Sequence, residues 1–319
     1  MRNRKKIVVF FGKSRNCADP FASFGKKRAV YHQLFKKGLL RGLEMYIASG
    51  RDSYLGNLNF QDPWIYNGSF FEKQTGIISA DAVYDRSGGL KFPTEEISFK
   101  VLNGIGFKQL CYDKNLTYAL LAEFMPKSYP VKNTADLHEA LKNFAADELA
   151  VLKPVSGFGG KNILIDSPKN LSSSAIQNSI EYALQQFVDT SAGISGITSG
   201  HHDLRAIIVN GGFVLCHVRA PQKGSLLANV AQGGSIKEVA IALVPGPVKQ
   251  IISTVSSIID SAFDMPVYSI DFGVCHDKPY IFELNDQIGF PSENMHDYPL
   301  FIDGILESLA RLAARPIKT

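Results

Sequence analysis

Three side chains of the kind that bind hard metal ions lie close together near the C-terminal end of the chain: Asp271, Glu283 and Asn285. The surrounding residues predict two strands, at 267–274 and 279–284, with a turn at 276–278 between them. Glu283 and Asn285 are two positions apart, so they point to the same face of their strand. An acidic side chain in an apolar strand is costly to bury unless it is paired or binds a cation.

Three converging oxygen ligands predict a Mg²⁺ site, because this ion takes one or two carboxylates and completes its shell with phosphates and water. In the alternative interpretation, Asp271 is a surface-facing strand residue and 283–285 is only the end of a strand.

A glycine-rich turn further upstream has the composition of a phosphate-binding loop. Between predicted strands at 150–153 and 162–165 lie Gly157, Gly159 and Gly160. Without Cβ atoms, these residues let backbone N–H groups approach an anion closely, and Lys153 adds a positive charge at the end of the strand. The spacing fits neither a Walker loop nor a dinucleotide-binding motif. The alternative is a glycine-rich hairpin with no ligand.

Two arginines lie on neighbouring predicted strands, Arg205 on 204–209 and Arg219 on 213–219. Side chains from adjacent antiparallel strands can project to one face, and two guanidinium groups suit carboxylate or phosphoryl oxygens. The alternative is a surface salt bridge with Asp203, since structural ion pairs are common.

The composition describes an ordinary globular chain. Its 319 residues are 45% apolar and 20% charged, which is enough for two or three domains. The net charge of +4 is a mild excess, and the basic residues near Lys27 and Lys36 are interpreted as a solvated surface and helix face. No aromatic stacking pattern accompanies them, so no nucleic-acid partner is predicted.

Four scattered cysteines with no metal or redox spacing favour a reducing, cytoplasmic setting. No apolar stretch is long enough to predict a signal-peptide core or a membrane span.

The element pattern predicts a mixed chain. A strand at 7–11, helical periodicity over 28–47 and a strand at 81–86 predict a small α/β lobe. Helices are expected at 94–103, 114–124 (with Asp113 as N-cap), 134–146, 247–263 and 300–314, further strands at 184–188 and 226–230, and a mobile loop at 189–200.

Taken in order, these segments resemble the ATP-grasp superfamily, in particular the group around glutathione synthetase and the ribosomal-protein-S6 glutamate ligase. The matching segments are Lys153 and Pro154 with the glycine-rich turn, 185–189, 202–205, 219–221 with 229–234, and Asp271 with 283–285. The resemblance implies an α/β fold with α+β lobes, in which the nucleotide lies between two sheet-containing lobes. It implies an N-terminal α/β pre-ATP-grasp domain at 1–112, a central lid subdomain at 113–188, and a C-terminal subdomain at 189–319.

The resemblance also implies roles for single residues. Arg219 would contact the γ-phosphate and the acyl phosphate, while Arg205 would anchor the carboxylate substrate or assist Arg219. One or two Mg²⁺ ions would be held by Asp271, Glu283 and Asn285. The residues implied at the nucleotide are Lys114, Lys153, Gly157, Gly159, Gly160, Gln186, Phe187, Val188, Asp189 and Asn229.

The activity that the resemblance implies is ATP-dependent ligation of a carboxylate to an amine through an acyl phosphate, with release of ADP and phosphate. The implied partners are small carboxylate and amine substrates, amino acids or peptides, and a second copy of the chain in a homodimer. Three alternatives stay open: a ligase acting on a protein or peptide terminus, a phosphotransferase, and a non-catalytic nucleotide-binding or nucleic-acid-binding module.

The chain departs from the family pattern in two places. Gln186 replaces a common acidic residue, and 286–291 replaces a Ser or Thr followed by Pro-Gly. His201 and His202 form an unusual pair, and a structural hydrogen-bonding role is favoured for His202 over that of a general base.

Overall fold

Four β-sheets and the helices packed on them make up the part of the chain that the computed structural model describes. This part comprises residues 4–15, 19–25, 27–88, 100–157, 159–174, 176–177, 179–228, 233–264 and 266–316.

The N-terminal part is a mixed sheet with one helix on it. Its elements are β1 (Lys5–Phe11), α1 (Lys27–Leu40), β2 (Leu43–Ser49), β3 (Tyr54–Gly56), β4 (Asn59–Gln61), β5 (Trp64–Tyr66), β6 (Phe71–Lys73), β7 (Ile77–Ser79), β8 (Ala82–Asp85) and β9 (Val101–Leu102). The six-stranded sheet has the order β6-β5-β2-β1-β8-β9, and β3, β4 and β7 form a small second sheet. β1 pairs in parallel with both β2 and β8, which puts the continuous apolar run of β1 at the centre of the sheet.

The helix predicted over 28–47 is wrong in its second half, because the chain leaves α1 after Leu40 and enters β2 at Leu43. Gly42 adopts a left-handed φ of +79°, which ends the helix at little steric cost. The apolar residues beyond it pair with β1 and do not continue the helix face. A helix is also predicted over 94–103. Positions 94–99 lie outside the described residues, and the prediction is wrong at Val101–Leu102, which is a short strand.

The middle part is a four-stranded antiparallel sheet with order β10-β13-β11-β12. Its elements and the helices before it are α2 (Ile105–Tyr112), α3 (Lys114–Leu121), β10 (Ser128–Val131), α4 (Thr134–Leu141), β11 (Ala150–Pro154), β12 (Leu164–Asp166), α5 (Pro168–Leu171) and β13 (Tyr182–Gln186). The predicted N-cap is confirmed, since the Asp113 carboxylate accepts hydrogen bonds from the N–H groups of Asn115 and Leu116.

The C-terminal part is an antiparallel sheet of order β16-β15-β14-β17-β18. Its elements are β14 (Asp203–Val209), β15 (Gly212–Ala220), β16 (Ser235–Glu238), α6 (Gly246–Ala262), β17 (Val267–Cys275), β18 (Lys278–Asn285) and α7 (Tyr298–Ala314). The strand predicted at 226–230 is wrong at 226–228, which is irregular chain that follows a turn at 222–225, and 229–230 lie outside the described residues. One edge of this sheet is formed by β16, which pairs with β15.

The alternation of side chains along β14, β15 and β17 gives this sheet two different faces. Leu204, Ile208 and Ile270 belong to the apolar face, which α6 covers. On the opposite face, one end is apolar and packs under α7, and the other end carries the charged side chains of the site.

α7 also packs on β1, β8 and β9, so it ties the first sheet to the last through Phe301, Ile305 and Leu309. None of the helices in the described part of the chain has the length and apolar character needed to cross a membrane.

Candidate functional site

The three predicted metal-type ligands lie together on the charged end of the C-terminal sheet. The two strands predicted for them are confirmed as β17 and β18, and their register places Asp271 directly opposite Glu283. The Asn285 amide lies 3.3 Å from Asp271 Oδ2 and 3.2 Å from Glu283 Oε1. A bulge follows this pair, so Phe282 is the extra residue of β18 and lines an adjoining pocket.

Asp271 is 1% exposed and is held by both predicted arginines. Arg205 makes a two-point contact with it at 2.6 and 2.5 Å, and Arg219 lies 2.7 Å from its Oδ2. The prediction that the two arginines share one face is therefore confirmed. Burial by itself would raise the pKa of the Asp271 carboxyl, but the two guanidinium groups hold this pKa below its usual range.

Arg219 also makes a two-point contact with Asp203, with Nε 2.6 Å from Oδ1. The alternative ion pair with Asp203 thus exists, although it is buried and coexists with the contact to Asp271. Burial and the neighbouring charge of Asp271 raise the pKa of Asp203 to about 6 against the opposing effect of Arg219. The pair fixes the Arg219 guanidinium in one orientation before any ligand arrives.

The donor set fits Mg²⁺. Asp271 and Glu283 offer carboxylate oxygens and Asn285 offers an amide oxygen once its side chain is turned, all hard ligands. Among the described residues no cluster of three or more His, Cys, Asp or Glu side chains could hold a metal ion. A site with two carboxylates suits an ion that also binds phosphates and water, which is how Mg²⁺ binds with nucleotides.

A pocket of about 130 Å³ lies between the middle and C-terminal sheets beside these residues. Apolar side chains such as Val151, Ile163 and Phe282 line it together with polar ones. The predicted nucleotide residues in its wall are Lys114, Lys153, Gly160, Gln186, Phe187 and Val188. Asp189 is not part of this wall, and Asn229 lies outside the described residues.

One buried lysine, Lys153, and one half-buried lysine, Lys114, line this pocket. Lys153 is 7% exposed and donates to Gln185 Oε1 at 2.8 Å, and burial lowers its pKa to about 8. Lys114 donates to the carbonyl oxygens of Val155 and Gly157 at 3.3 and 3.1 Å, and burial lowers its pKa too. Within the described ranges neither ammonium lies at ion-pair distance from a carboxylate, so both are suited to an anionic ligand.

The segment predicted to read a nucleotide base is the end of β13. The strand predicted at 184–188 ends at Gln186, and Phe187 and Val188 follow as irregular chain. Asp189 is exposed, and hydrogen bonds from the Ser191 side chain and from the Ser191 N–H, the latter at 2.8 Å, lower the pKa of its carboxyl.

The segment 189–200 does not have the loose packing that a mobile loop requires. Ile194 and Ile197 are buried in the core beneath the C-terminal sheet, and a short bridge joins Ile194 to Thr198. His202 follows it, buried, with its N–H donated to Thr190 Oγ1 at 3.0 Å and its Nδ1 3.0 Å from the Gly200 carbonyl oxygen. These contacts fit the structural role favoured for His202.

A second, larger cavity of about 1740 Å³ opens on the other side of the metal-type ligands. Gly157 and Gly159 of the glycine-rich turn, Arg205, Arg219, Glu283 and Asn285 line one end of it. Residues of the N-terminal part and of 287–295 line the other end. Glu283 borders both this cavity and the smaller pocket, so the two spaces meet at the predicted metal site.

Sequence reasoning missed two residues of the large cavity, His217 and Lys27. His217 lies directly opposite Arg205 on the neighbouring strand and is 6% exposed. Burial is the larger cause and the charges of Arg205 and Arg219 the smaller cause that lower the pKa of His217 to about 3. Its two-residue spacing from Arg219 could have placed both on one face. Lys27 is exposed, as its interpretation as part of a solvated surface expects, and it also lies in the wall of the cavity at the start of α1.

It also missed a buried charge cluster that fixes the chain beyond β18. The Lys108 ammonium lies 3.1 Å from the carboxylates of both Asp85 and Asp286. The Asn103 amide donates to the carbonyl oxygens of Asp286 and Val267. These contacts join α2 and the N-terminal sheet to the residue that follows Asn285, and so help to position the metal-type ligands.

Comparison with known proteins gives a consistent result. Residues 114–257 match the family described as prokaryotic glutathione synthetase, ATP-grasp domain. The chain is similar to the crystal structure of D-cycloserine synthetase DcsG, with a TM-score of 0.62 and 13% identity over 95% of this chain and 99% of that one. No curated protein sequence matches the chain.

Two further solved structures align over similar lengths. The VanG D-Ala:D-Ser ligase from Enterococcus faecalis has a TM-score of 0.62 and 15% identity over 98% of this chain and all of that one. The ATP-grasp ligase PsnB, complexed with minimal precursor, Mg and ADP, has a TM-score of 0.57 and 15% identity over 97% and 98%.

The fold is therefore the ATP-grasp fold, as the sequence resemblance predicted, and residues 114–257 match an ATP-grasp family.

Proposed function

We propose that this protein joins a carboxylic acid to an amine through an acyl phosphate, with ATP as the phosphoryl donor. The observation that carries the proposal is the position of Glu283, which borders both the small pocket beside Lys153 and the large cavity beside Arg205. A nucleotide in the first space and a carboxylate in the second would meet at the metal-type ligands. Such an arrangement supplies the proximity that phosphoryl transfer needs.

The chemistry proceeds in two steps. An oxygen of the substrate carboxylate attacks the γ-phosphorus, the bond between that phosphorus and the β,γ-bridging oxygen breaks, and ADP leaves. The amine nitrogen then attacks the carbonyl carbon of the acyl phosphate, inorganic phosphate leaves, and the nitrogen loses a proton as the amide forms.

The nucleotide is held by the small pocket and its rim. Lys114 and Lys153 pair with the phosphates, and burial makes each ammonium a stronger partner for a phosphate than a solvated one would be. Backbone groups of 186–188 contact the adenine edge, and Asp189 lies near the ribose. The glycines at 157, 159 and 160 close over the β- and γ-phosphates.

Asp271, Glu283 and Asn285 hold Mg²⁺, which neutralises charge on the phosphates when it is bound. Arg219, kept in one orientation by Asp203, faces the γ-phosphate and stabilises the charge that develops there. Arg205 binds the substrate carboxylate. Both arginines contact Asp271 in the ligand-free protein, so they already surround the place where negative charge accumulates.

The substrates are amino acids or peptides. The similar structures are those of a D-cycloserine synthetase, a D-Ala:D-Ser ligase and a ligase with a precursor bound. The cavity of about 1740 Å³ exceeds the range of about 300–1,000 Å³ of ordinary small-molecule pockets, which favours a peptide over a single amino acid.

ADP release from ATP and Mg²⁺ tests the proposal, with pools of carboxylic acids and amines added separately and together. We expect release only when both pools are present. Glu283→Gln abolishes release and keeps the fold, whereas Glu139→Gln, at an exposed site on the middle part, behaves as the parent protein. Near-normal turnover in Glu283→Gln refutes the metal site, and a stable phosphorylated product in place of an amide refutes ligation.

A further inference from the structure

The large cavity has a second basic wall, far from the metal-type ligands in the chain. This wall consists of the first turn of α1 together with the segment 287–295. Lys27 and Arg28 lie at that first turn, which contains no acidic residue. Positive side chains are unfavourable at a helix N-terminus, because the helix dipole is itself positive there.

The two basic residues of this turn differ in their partners. Arg28 is neutralised, since its Nε lies 2.6 Å from the carboxylate of Asp19. Lys27 has no carboxylate at ion-pair distance among the residues that the structure describes. Lys37 differs from Lys27, because it lies in the last turn of α1, where a positive side chain is favourable. It pairs with the Asp303 carboxylate at 2.9 Å.

A second cation lies beside Lys27. The Arg86 guanidinium donates to the Ile288 carbonyl oxygen at 2.9 Å and packs over the ring of Phe290 at 5.2 Å. Burial, and then the charge of Arg86, lower the pKa of Lys27. Gly289 leaves room for the ammonium, since a Cβ at that position would lie 3.2 Å from Lys27 Nζ.

Neither acid in the wall of the cavity, Glu283 or Glu293, lies at ion-pair distance from Lys27. Glu283 belongs to the metal-type ligands, and Glu293 accepts a hydrogen bond from Gln33 at 2.9 Å. Lys27 lines the cavity and the Arg86 guanidinium acts on it electrostatically, so an anion bound at Lys27 would reduce the repulsion between these two like charges.

The opposite wall gives independent evidence that the cavity takes a polar ligand. His217 lines the cavity and is more than nine-tenths buried, yet its Nδ1 has no hydrogen-bond partner in the described part of the chain. A buried ring nitrogen without a partner is costly, and a ligand that fills this end of the cavity would remove the cost.

We infer that the carboxylic acid substrate carries a second anionic group, a carboxylate or a phosphate, which binds Lys27 while Arg205 binds the reacting carboxylate. The inference rests on the proposed ligase function, because that function assigns the reacting carboxylate to Arg205. It goes beyond that function by specifying the charge of the substrate and by naming Lys27 as the residue that binds the second anionic group.

Matched pairs of acids test the inference, with hydroxylamine as the amine and ADP release as the readout. The pairs are N-acetyl-glutamate with N-acetyl-glutamine, alanyl-glutamate with alanyl-glutamine, and alanyl-phosphoserine with alanyl-serine. We expect kcat/KM to favour the anionic member by about tenfold or more, the usual effect of one partly exposed charge-assisted contact. The preferred pair distinguishes a carboxylate from a phosphate.

Lys27→Met should remove most of this preference, and Lys27→Glu should reverse it. Lys36→Met, at an exposed site on the same helix, should retain the preference of the parent protein. An equal kcat/KM for both members of every pair overturns the inference, as does a preference that survives in Lys27→Met.

Binding without turnover separates this inference from the ligase proposal. Glutarate and butyrate differ by one carboxylate, and we expect glutarate alone to raise the thermal unfolding temperature of the parent protein and of Lys36→Met. If no acid supports turnover, the ligase proposal fails, while Lys27-dependent binding of glutarate still supports the anion site. Equal binding of glutarate by the parent protein and Lys27→Met overturns the site whatever the turnover.

Discussion

Lys153 lies in a position where function and stability are opposed. Its ammonium is buried and donates a hydrogen bond to the Gln185 side-chain oxygen, and burial lowers its pKa from 10.5 to about 8. At about 1.4 kcal/mol per pKa unit, the charged form destabilises the folded ligand-free protein by roughly 3 kcal/mol. The charge persists because, in the proposed function, it pairs with nucleotide phosphates.

Lys153→Met should therefore make the ligand-free protein more stable. The variant loses the buried charge and leaves the Gln185 oxygen without its donor, which costs about 1–2 kcal/mol. The net expectation at pH 7 is a gain of about 1–2 kcal/mol in the free energy of unfolding. ATP with Mg²⁺ should stabilise the parent protein but give the variant much less stabilisation.

The effect of pH has a definite sign. The folded pKa of Lys153 lies below its unfolded value, so the destabilisation is fully present below about pH 8 and is lost as pH rises towards 10.5. The stability difference between Lys153→Met and the parent protein should narrow over the same interval.

Urea unfolding at several pH values, with and without ATP and Mg²⁺, measures these quantities. Lys127→Met, an exposed lysine of the same part of the chain, is the matched control and should change neither stability nor nucleotide binding appreciably. A Lys153→Met variant that is destabilised at pH 7 would refute the buried-charge argument. Undiminished stabilisation by ATP would refute the role of Lys153 at the phosphates.

Two further predictions concern the frame around the site. Lys108→Met leaves the carboxylates of Asp85 and Asp286 buried without their cation and should destabilise the protein by about 3–5 kcal/mol in urea unfolding; a loss under 1 kcal/mol contradicts the cluster's role. Gly193 has a φ of +74°, and in Gly193→Ala the new Cβ would lie 2.3 Å from the Thr198 carbonyl oxygen. We expect this variant to have a lower thermal unfolding temperature than the parent protein. An unchanged temperature would show that 189–200 is loosely packed.

The metal-type ligands could be predicted from the sequence because they depend on local rules. Strand alternation fixed the face that Glu283 and Asn285 share, and a turn at 276–278 fixed which strand lies beside Asp271. The positions of Arg205 and Arg219 followed from the same two-residue period.

The predictions that needed correction depended on periodicity or on composition alone. Apolar residues at 28–47 fit a helix as well as a helix followed by a strand, and the left-handed Gly42 separates the two elements in the structure. The predicted loop at 189–200 is rich in Ser, Gly and Thr, and composition did not show that Ile194 and Ile197 are anchored in the core.

The second wall of the large cavity could not be predicted, because contacts between distant parts of the chain create it. Lys27 lies beside Gly289 only because α7 packs on the first sheet and returns the preceding segment to the start of α1. The cluster of Lys108, Asp85 and Asp286 depends on the same arrangement. No spacing within one segment carries such information.

The acyl phosphate is the central claim, and an oxygen-18 transfer experiment tests it most directly. The carboxylic acid that stimulates ADP release is labelled in its carboxylate and incubated with the protein, ATP, Mg²⁺ and the amine. The account predicts that each amide formed leaves one labelled oxygen in inorganic phosphate, since the carboxylate oxygen that attacks the γ-phosphorus departs with it. Amide formation with unlabelled phosphate, or with AMP and pyrophosphate as products, would contradict the account.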